Sequence, residues 1–281
     1  MKIAIASGKG GTGKTTVGTN LARVLSKSHK VQYLDCDVEE PNAHLFLHPE
    51  ITHKRDATVL VPEVDENLCT SCGKCSEFCY FNAIASLANT TITFHELCHN
   101  CGGCAMVCPE KAITEVERAI GVIESGTAGG IEFVHGRLNI GEAISVPLIK
   151  QVIAHAKPDS VVIMDAPPGT ACPVVGTLKG ADKAVLVAEP TAFGLHDLSL
   201  AIDLIRELSM PVGVFINRSD IGDDRVERFC EANSLPIWGR LPHNRRIAEA
   251  YSRGTLAVEA VPEVAESFEG LASELLQGGG L

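Results

Sequence analysis

Eight of the eleven cysteines fall between Cys69 and Cys108, in two runs with one spacing, "CTSCGKCSEFC" and "CHNCGGCAMVC", both C-x2-C-x2-C-x3-C. Thiolates at this spacing fold a short loop around an iron–sulfur cluster, three sulfurs coming from one turn. The runs repeat with a period of 29 residues: Cys69, Cys72, Cys75, Cys79, Ala83 and Ile84 recur as Cys98, Cys101, Cys104, Cys108, Ala112 and Ile113. Gly73, Gly102 and Gly103 would let the backbone approach inorganic sulfide. A pair of structural zinc sites is the competing reading. Zinc sites usually join two separated C-x2-C elements, whereas here each run packs four thiols into eleven residues. "HELCH", His95 to His99, matches the H-E-x-x-H zinc pattern, which works only on a helix. Cys98 sits inside it and belongs to a cysteine run, so solvated histidines beside that run are expected.

The second chemistry-bearing stretch is "SGKGGTGKTT", Ser7 to Thr16. Gly8, Gly10 and Gly13 satisfy G-x-G-x-x-G, with Asp35 or Asp37 about 20 residues on, as a dinucleotide site needs. Gly8 to Thr15 also satisfy G-x4-G-K-[ST]. There backbone N–H groups of Gly10, Gly11, Thr12 and Gly13 cradle phosphates, Lys14 reaches the outer oxygens, and the Thr15 hydroxyl, followed by Thr16, ligates Mg2+. Asp165, closing the apolar run "VVIMD", supplies the carboxylate that the magnesium shell of such a loop requires. A dinucleotide enzyme has no use for Lys14, Thr15 and Asp165 together, so ATP with Mg2+ is the expected ligand. Lys9 is a second lysine that this phosphate loop does not need.

These residues need elements to hold them. The sequence predicts a strand over Lys2–Ser7, a helix from Lys14 to about Ser28, a strand in "HKVQYLDCD" and a loop from His48 to Arg55. After the cysteine block come a helix near Glu142–Ala156, strands "SVVIMDA" and "KAVLVAEP", a helix over Leu195–Leu208 and the strand "PVGVFIN". A helix near Asp224–Asn233, the short strand "LPIWGRL" and helices to Leu276 follow, with a frayed "QGGGL" tail. Continuous apolar strands separated by amphipathic helices indicate an α/β fold, a mostly parallel sheet with helices on both faces. The cysteine block interrupts that alternation and reads as an inserted α+β domain. The expected division is 1–60 and 118–281 for the nucleotide domain and 61–117 for the insert.

Over roughly 55 residues the insert resembles the bacterial two-cluster ferredoxin. That resemblance implies one [4Fe–4S] cluster on Cys69, Cys72, Cys75 and Cys108, and a second on Cys98, Cys101, Cys104 and Cys79, the last cysteine of each run being exchanged. The second run ends Cys108-Pro109 as the family pattern asks, but the first ends Cys79-Tyr80. "KGGTGKT" resembles the deviant phosphate loop of the nitrogenase iron protein, MinD, ParA and Mrp superfamily of dimeric ATPases, and the resemblance covers most of the chain outside the insert. It implies that Lys9 reaches the nucleotide of a second subunit across a dimer interface. It also implies that Asp37 in "DCDVEEPNAH" orients or activates the attacking water, and that "DAPPG" is the second switch. Asn217 in "FINRSD" falls where the family reads adenine, and Pro242 in "RLPHN" near where it closes over the base. The chain as a whole resembles members of this superfamily that contain an inserted ferredoxin domain.

A chain of 281 residues with 45% apolar and 21% charged composition can bury a full core. Met1 runs straight into a strand, and no apolar stretch approaches the roughly 20 residues of a membrane span. Cytoplasmic location is the expectation, and eleven cysteines there suggest metal or redox chemistry rather than disulfides. A net charge of −11 gives no broad pull toward nucleic acid or anionic lipid, and the C-terminal "PEVAESFEGLASELLQGGGL" carries no basic residue for a membrane-surface helix. The expected partners are a second copy or a homologous chain on ATP binding, and a redox protein or metalloprotein. The functional expectation is an ATPase whose turnover gates electron transfer, or metal-centre maturation on that partner. A positioning or scaffold ATPase, or a cluster carrier, is the alternative; carriers of the Mrp type use a C-terminal C-x-x-C, and none follows Cys108. Cys36 and Cys230 read as small apolar residues. Cys172, seven residues after Asp165, reads as a packed or redox-sensitive thiol.

Overall fold

The computed structural model describes residues 1–277; of the expected frayed tail, all but Gln277 lies outside the described residues. In chain order the strands are β1 (Lys2–Ala6), β2 (Val31–Asp35), β3 (Glu50–Val64), β4 (Ile84–Leu87), β5 (Thr90–Thr93), β6 (Ile113–Ala128), β7 (Ile131–Leu138), β8 (Val161–Asp165), β9 (Lys183–Ala188), β10 (Val212–Asn217) and β11 (Ile237–Leu241). The helices are α1 (Lys14–Leu25), α2 (His44–Leu47), α3 (Lys74–Phe78), α4 (Gly103–Val107), α5 (Val146–Ile153), α6 (Cys172–Leu178), α7 (Ala192–Glu207), α8 (Arg225–Ala232), α9 (Arg245–Ser252), α10 (Ala257–Ala260) and α11 (Ala265–Gln277). Two compact units result. The first comprises Met1–Lys54, Ile123–Arg137 and Ile149–Leu281, and the second Arg55–Val122 and Leu138–Leu148.

The larger sheet has the strand order β11-β10-β9-β1-β8-β2-β7-β6-β3, with every pair from β11 across to β7 parallel; β3 and β6 have residues in both units. Alternation along β1 shows why both faces are covered. Ile3 and Ile5 bury against Leu21 of α1 and Phe268 and Leu271 of α11. Ala4 and Ala6 bury against Val174 of α6, Ile202 of α7 and Val226 of α8. Fully burying one such large side chain is worth about 1.5–3 kcal/mol.

The segment that reads as a loop up to Arg55 is instead the beginning of β3. Its residues Glu50–Asp56 are exposed, so the strand lacks the apolar alternation by which a strand is recognised. The long β6 and β7 are likewise absent from the sequence reading. They are joined by Gly129-Gly130, at φ +54° and +86°, the pair of left-handed positions that a two-residue hairpin turn demands. The second unit holds α3, α4 and the β4–β5 hairpin, in which Ile84 pairs with Thr93. Its buried apolar centre is Cys75, Ile84 and Ile113, with Val64, Ala105 and three more cysteines packed around it.

Candidate functional site

The carboxyl ends of β1, β2, β8 and β10 converge on one cavity of about 410 Å3 in the first unit, the place where open parallel sheets take their ligands. Gly10, Gly11, Gly13, Lys14, Thr15 and Thr16 form one wall, with Asp37, Asn217 and Pro242 on others. Gly8, Lys9, Thr12 and Asp165 do not line it. The glycines have separate reasons. A Cβ on Gly8 would lie 2.1 Å from the Asp197 carbonyl oxygen, and Gly13 adopts φ +94° with its missing Cβ 2.3 Å from the Asn217 amide nitrogen. α1 then begins with no side-chain cap, which leaves the first N–H groups of the helix directed at the cavity, a ready anion site.

Asn217 donates its amide N–H to the Thr12 carbonyl at 2.8 Å and accepts from the Arg218 N–H at 3.0 Å. Its amide therefore braces the phosphate loop as well as facing the cavity. Arg218, also on the wall, is ion-paired with Glu189 at 2.6 Å. Lys9 lies 3.8 Å from the carboxylate of Asp197 on α7 and does not line the cavity that its own loop borders. Thr191 caps α7 by accepting from the Gly194 N–H at 3.0 Å.

Behind the loop lie two buried carboxylates, Asp35 and Asp165, in register on β2 and β8. Their roles differ. Asp35 accepts from the N–H groups of Asp37, Asn42 and Ala43 at 3.1–3.2 Å, so it folds the segment after β2 and does not line the cavity. Asp165 accepts from the Tyr33 hydroxyl at 2.9 Å through Oδ2, while its Oδ1 is buried with no partner among the described residues. Burial raises the Asp165 pKa, opposed by Lys14 and by the hydroxyls of Thr15 and Tyr33. Burial, and next the Asp165 charge, push Asp35 well up. An orphaned carboxylate oxygen beside a threonine hydroxyl offers oxygen donors that fit Mg2+, while the Lys14 ammonium can only balance negative charge nearby. Asp37, half-buried on the cavity wall, is raised to about 6, chiefly by burial, with Lys14 pulling it down.

Tyr33 is a functional-site residue that the motifs do not single out; Asp35, which they offer beside Asp37, holds the segment after β2 and does not line the cavity. A fully buried tyrosine needs a partner for its hydroxyl, and Tyr33 finds it in Asp165. Gly18 on α1 makes the room, since a Cβ there would lie 2.9 Å from that oxygen.

In the second unit the eight cysteines divide between two hollows. One is lined by Cys69, Cys72, Cys75 and Cys108, the other by Cys79, Cys98, Cys101 and Cys104. Backbone N–H groups of Ala83, Asn100 and Ala112 donate to the sulfurs of Cys79, Cys98 and Cys108 at 3.3–3.4 Å. Four thiols around each hollow, with amides donating to three of the sulfurs, form a donor set that fits an iron–sulfur cluster. Among the described residues no three His, Cys, Asp or Glu side chains are arranged to hold a single metal ion.

The "HELCH" histidines do not share a helix face. His95 starts a 3-10 turn, is half-buried and bonds the Pro62 carbonyl at 2.9 Å, so it is not simply solvated as expected; His99 is exposed, as expected, and stacks on Phe81. Cys36 and Cys230 are buried, burial pushing Cys230 up to about 11. Cys172 is exposed at the start of α6 rather than packed. Among the described residues no helix is long and apolar enough to cross a membrane.

Residues 3–258 match the family model described as the CobQ/CobB/MinD/ParA nucleotide binding domain. An uncharacterized protein of Methanocaldococcus jannaschii is 32% identical over 279 residues, covering 98% of this chain and 96% of that one. An iron-sulfur cluster carrier protein of Aquifex aeolicus is 28% identical over 98% of this chain and 67% of its own length. Among solved structures, the septum site-determining protein MinD of Pyrococcus horikoshii, complexed with Mg-ADP, superposes with a TM-score of 0.63 at 20% identity, covering 98% of this chain and 95% of that one. A cavity built on a glycine loop at the carboxyl edge of a parallel sheet agrees with all of these: the chain belongs to the CobQ/CobB/MinD/ParA nucleotide-binding family.

Proposed function

We propose that this chain is a Mg2+-dependent ATPase that acts as a dimer and uses ATP turnover to gate electron delivery, or metal-centre maturation, by an inserted iron–sulfur unit. The observation that carries the proposal is the union on one chain of a nucleotide cavity and two complete sets of four thiols. The N–H groups from Gly10 to Lys14 cradle the phosphates of ATP, and the Lys14 ammonium neutralises their outer oxygens. The Thr15 hydroxyl and Asp165 Oδ1 would hold Mg2+, which would supply positive charge against the phosphates. Asp37, with a pKa of about 6, is an anion at neutral pH and basic enough to align and deprotonate the attacking water. Lys9 leaves Asp197 on dimerisation and places its charge on the partner subunit's nucleotide, where phosphoryl transfer develops negative charge.

Cys69, Cys72, Cys75 and Cys108 hold one [4Fe–4S] cluster, and Cys79, Cys98, Cys101 and Cys104 the other; bound there, each supplies one-electron transfer. The chain's own part is to supply the thiolates and to steady their charge with the Ala83, Asn100 and Ala112 amides. The path from Asp37 to the first cysteine runs through α2 and β3, so the segment that follows the water-aligning carboxylate leads straight into the thiol-bearing unit.

The test is anaerobic stopped flow with iron-loaded, dithionite-reduced protein and an acceptor dye. Faster electron release with ATP than with ADP is expected, and equal rates overturn the coupling. Because some relatives are named iron-sulfur cluster carrier proteins, cluster transfer is the second reading. It predicts that iron and sulfide leave the chain together for an apo-acceptor protein.

A further inference from the structure

Because the two thiol sets arise from one repeat, each residue near one set has a counterpart near the other, and the differences between them are informative. After Cys79 come Tyr80 and Phe81; after Cys108 come Pro109 and Glu110. The wall of the Cys79, Cys98, Cys101 and Cys104 hollow carries Phe78, Tyr80, Phe81 and His99. The wall of the other hollow has no aromatic side chain among the described residues. Tyr80 is 88% exposed, Phe78 51% and Phe81 40%.

These rings are ordered against one another. Phe81 stacks on His99 with centroids 3.5 Å apart, and Tyr80 meets Phe81 edge-on at 5.5 Å. Gly103 leaves the space that Phe78 fills, since a Cβ there would lie 2.0 Å from its ring. Rigid exposed aromatics lose little entropy on binding and are the residue types that anchor interfaces.

Charge identifies the kind of partner. The second unit holds ten Asp and Glu against four Lys and Arg, and one of the four, Arg118, is ion-paired with Glu142. Glu115 is the charged residue on the aromatic hollow's wall, whereas the wall of the other carries one charge of each sign, Lys74 and Glu110. An aromatic centre with an acidic surround is complementary to an apolar spot ringed by lysine and arginine.

We infer that the aromatic face over Cys79, Cys98, Cys101 and Cys104 is the docking site for a redox protein with a basic rim, and that electrons are exchanged there rather than at the Cys69 set. This rests on the reading that the thiols hold clusters.

The test uses cytochrome c as the probe, a small basic redox protein whose ferric haem accepts one electron from the dithionite-reduced chain without a proton. Iron and sulfide contents are measured first, and binding and haem reduction are then followed anaerobically. The Tyr80→Ser, Phe81→Ser double variant is expected to weaken binding and slow haem reduction about tenfold, with iron content and cluster spectrum unchanged. Glu115→Gln flattens the salt dependence of the association rate. Leu87→Ser, which removes an exposed apolar side chain elsewhere in the unit, changes neither quantity. Wild-type binding and reduction by the double variant overturn the inference, as does a loss caused equally by Leu87→Ser. Self-association of the chain that the double variant abolishes assigns the face to a second copy and also overturns it. A chain that takes up no iron and sulfide overturns the functional reading instead, before any variant is compared.

Discussion

The two units are organised by different forces. In the nucleotide unit, aliphatic and aromatic side chains bury on both faces of the sheet, and the walls of the cavity are held by buried hydrogen bonds: Asn217 to Thr12, Tyr33 to Asp165, and Asp35 to three backbone amides. In the cysteine unit the buried centre is one cysteine and two isoleucines, with more cysteines packed around them. Much of its apolar contact is therefore made by side chains that would also be ligands. A small unit with so little core generally needs a disulfide or a metal to stay folded. The nucleotide cavity is preorganised by the fold, whereas the thiol sets and the fold of their unit depend on the same eight side chains.

The largest effect should follow from breaking that contrast directly. Removing iron with a chelator under reducing conditions is expected to lower amide-exchange protection between residues 69 and 113 by several orders of magnitude. Protection in β1 and β8 should hold, and nucleotide affinity should change less than about twofold, because the cavity draws its stability from aliphatic burial. Equal protection before and after chelation would show that the cysteine unit has a sufficient core of its own.

Next in size is Lys9→Ala. Its ion pair with Asp197 is partly exposed and worth about 0–1 kcal/mol, so folding and nucleotide affinity should be nearly untouched. A lysine serving phosphoryl transfer in trans acts like an arginine finger, for which about 10³-fold or more in turnover is at stake. Steady-state hydrolysis and equilibrium nucleotide binding, measured on the same preparation, separate the two. Unaltered hydrolysis would return Lys9 to the role of a loop lysine held by α7.

How far each unit was legible in the sequence follows from the same contrast. The parallel strands and their helices announce themselves, because strands buried on both faces are continuous apolar runs; β1, β8, β9 and β10 stand close to where the sequence puts them. The phosphate loop is legible because its residue types are dictated by its ligand. β3 was not, since Glu50–Asp56 are exposed and, apart from Ile51, polar, and their pairing depends on partners distant in sequence. Nor does spacing distinguish Asp35 from Asp37, two acids separated only by Cys36. What separates them is where the chain turns after β2, carrying Asn42 and Ala43 back to Asp35 and leaving Asp37 on the cavity wall. Tyr33 went unnoticed because a tyrosine in an apolar strand reads as core until its neighbour on β8 is known.

Tyr33 gives the third expectation. Its hydroxyl fixes one oxygen of Asp165 and leaves the other for the metal. A hydrogen bond to a charged group is worth about 1.5–3 kcal/mol. Tyr33→Phe should accordingly raise the Mg2+ concentration needed for half-maximal nucleotide binding roughly tenfold, while leaving Mg2+-independent binding unchanged. Fluorescence titration of a nucleotide analogue against Mg2+ reads this directly. An unchanged half-saturation would mean that packing alone orients Asp165.

The smallest effect concerns pH, and it bears on what preorganisation costs the nucleotide unit. Asp37 rises from 3.8 to about 6, mainly because burial penalises its charged form. A carboxyl whose folded pKa exceeds its unfolded one makes the native state bind more protons. Its contribution to stability is therefore present in full below about pH 4 and lost as pH rises through about 6. Asp35 and Asp165 shift in the same direction, so the wild-type curve alone cannot isolate Asp37. The difference between the wild-type protein and Asp37→Asn can. The full shift would be worth about 2–3 kcal/mol between pH 8 and pH 4, but the carboxyl is only partly buried and solvent screening brings this to roughly 1 kcal/mol. Measured without nucleotide, the wild-type Tm should therefore gain on that of the variant by about 2–4 °C over that range. Hydrolysis should move oppositely, falling below pH 6 as the base is protonated. A Tm difference independent of pH would mean that solvent reaches the Asp37 carboxylate freely, which would remove both its raised pKa and the reason for assigning it the water.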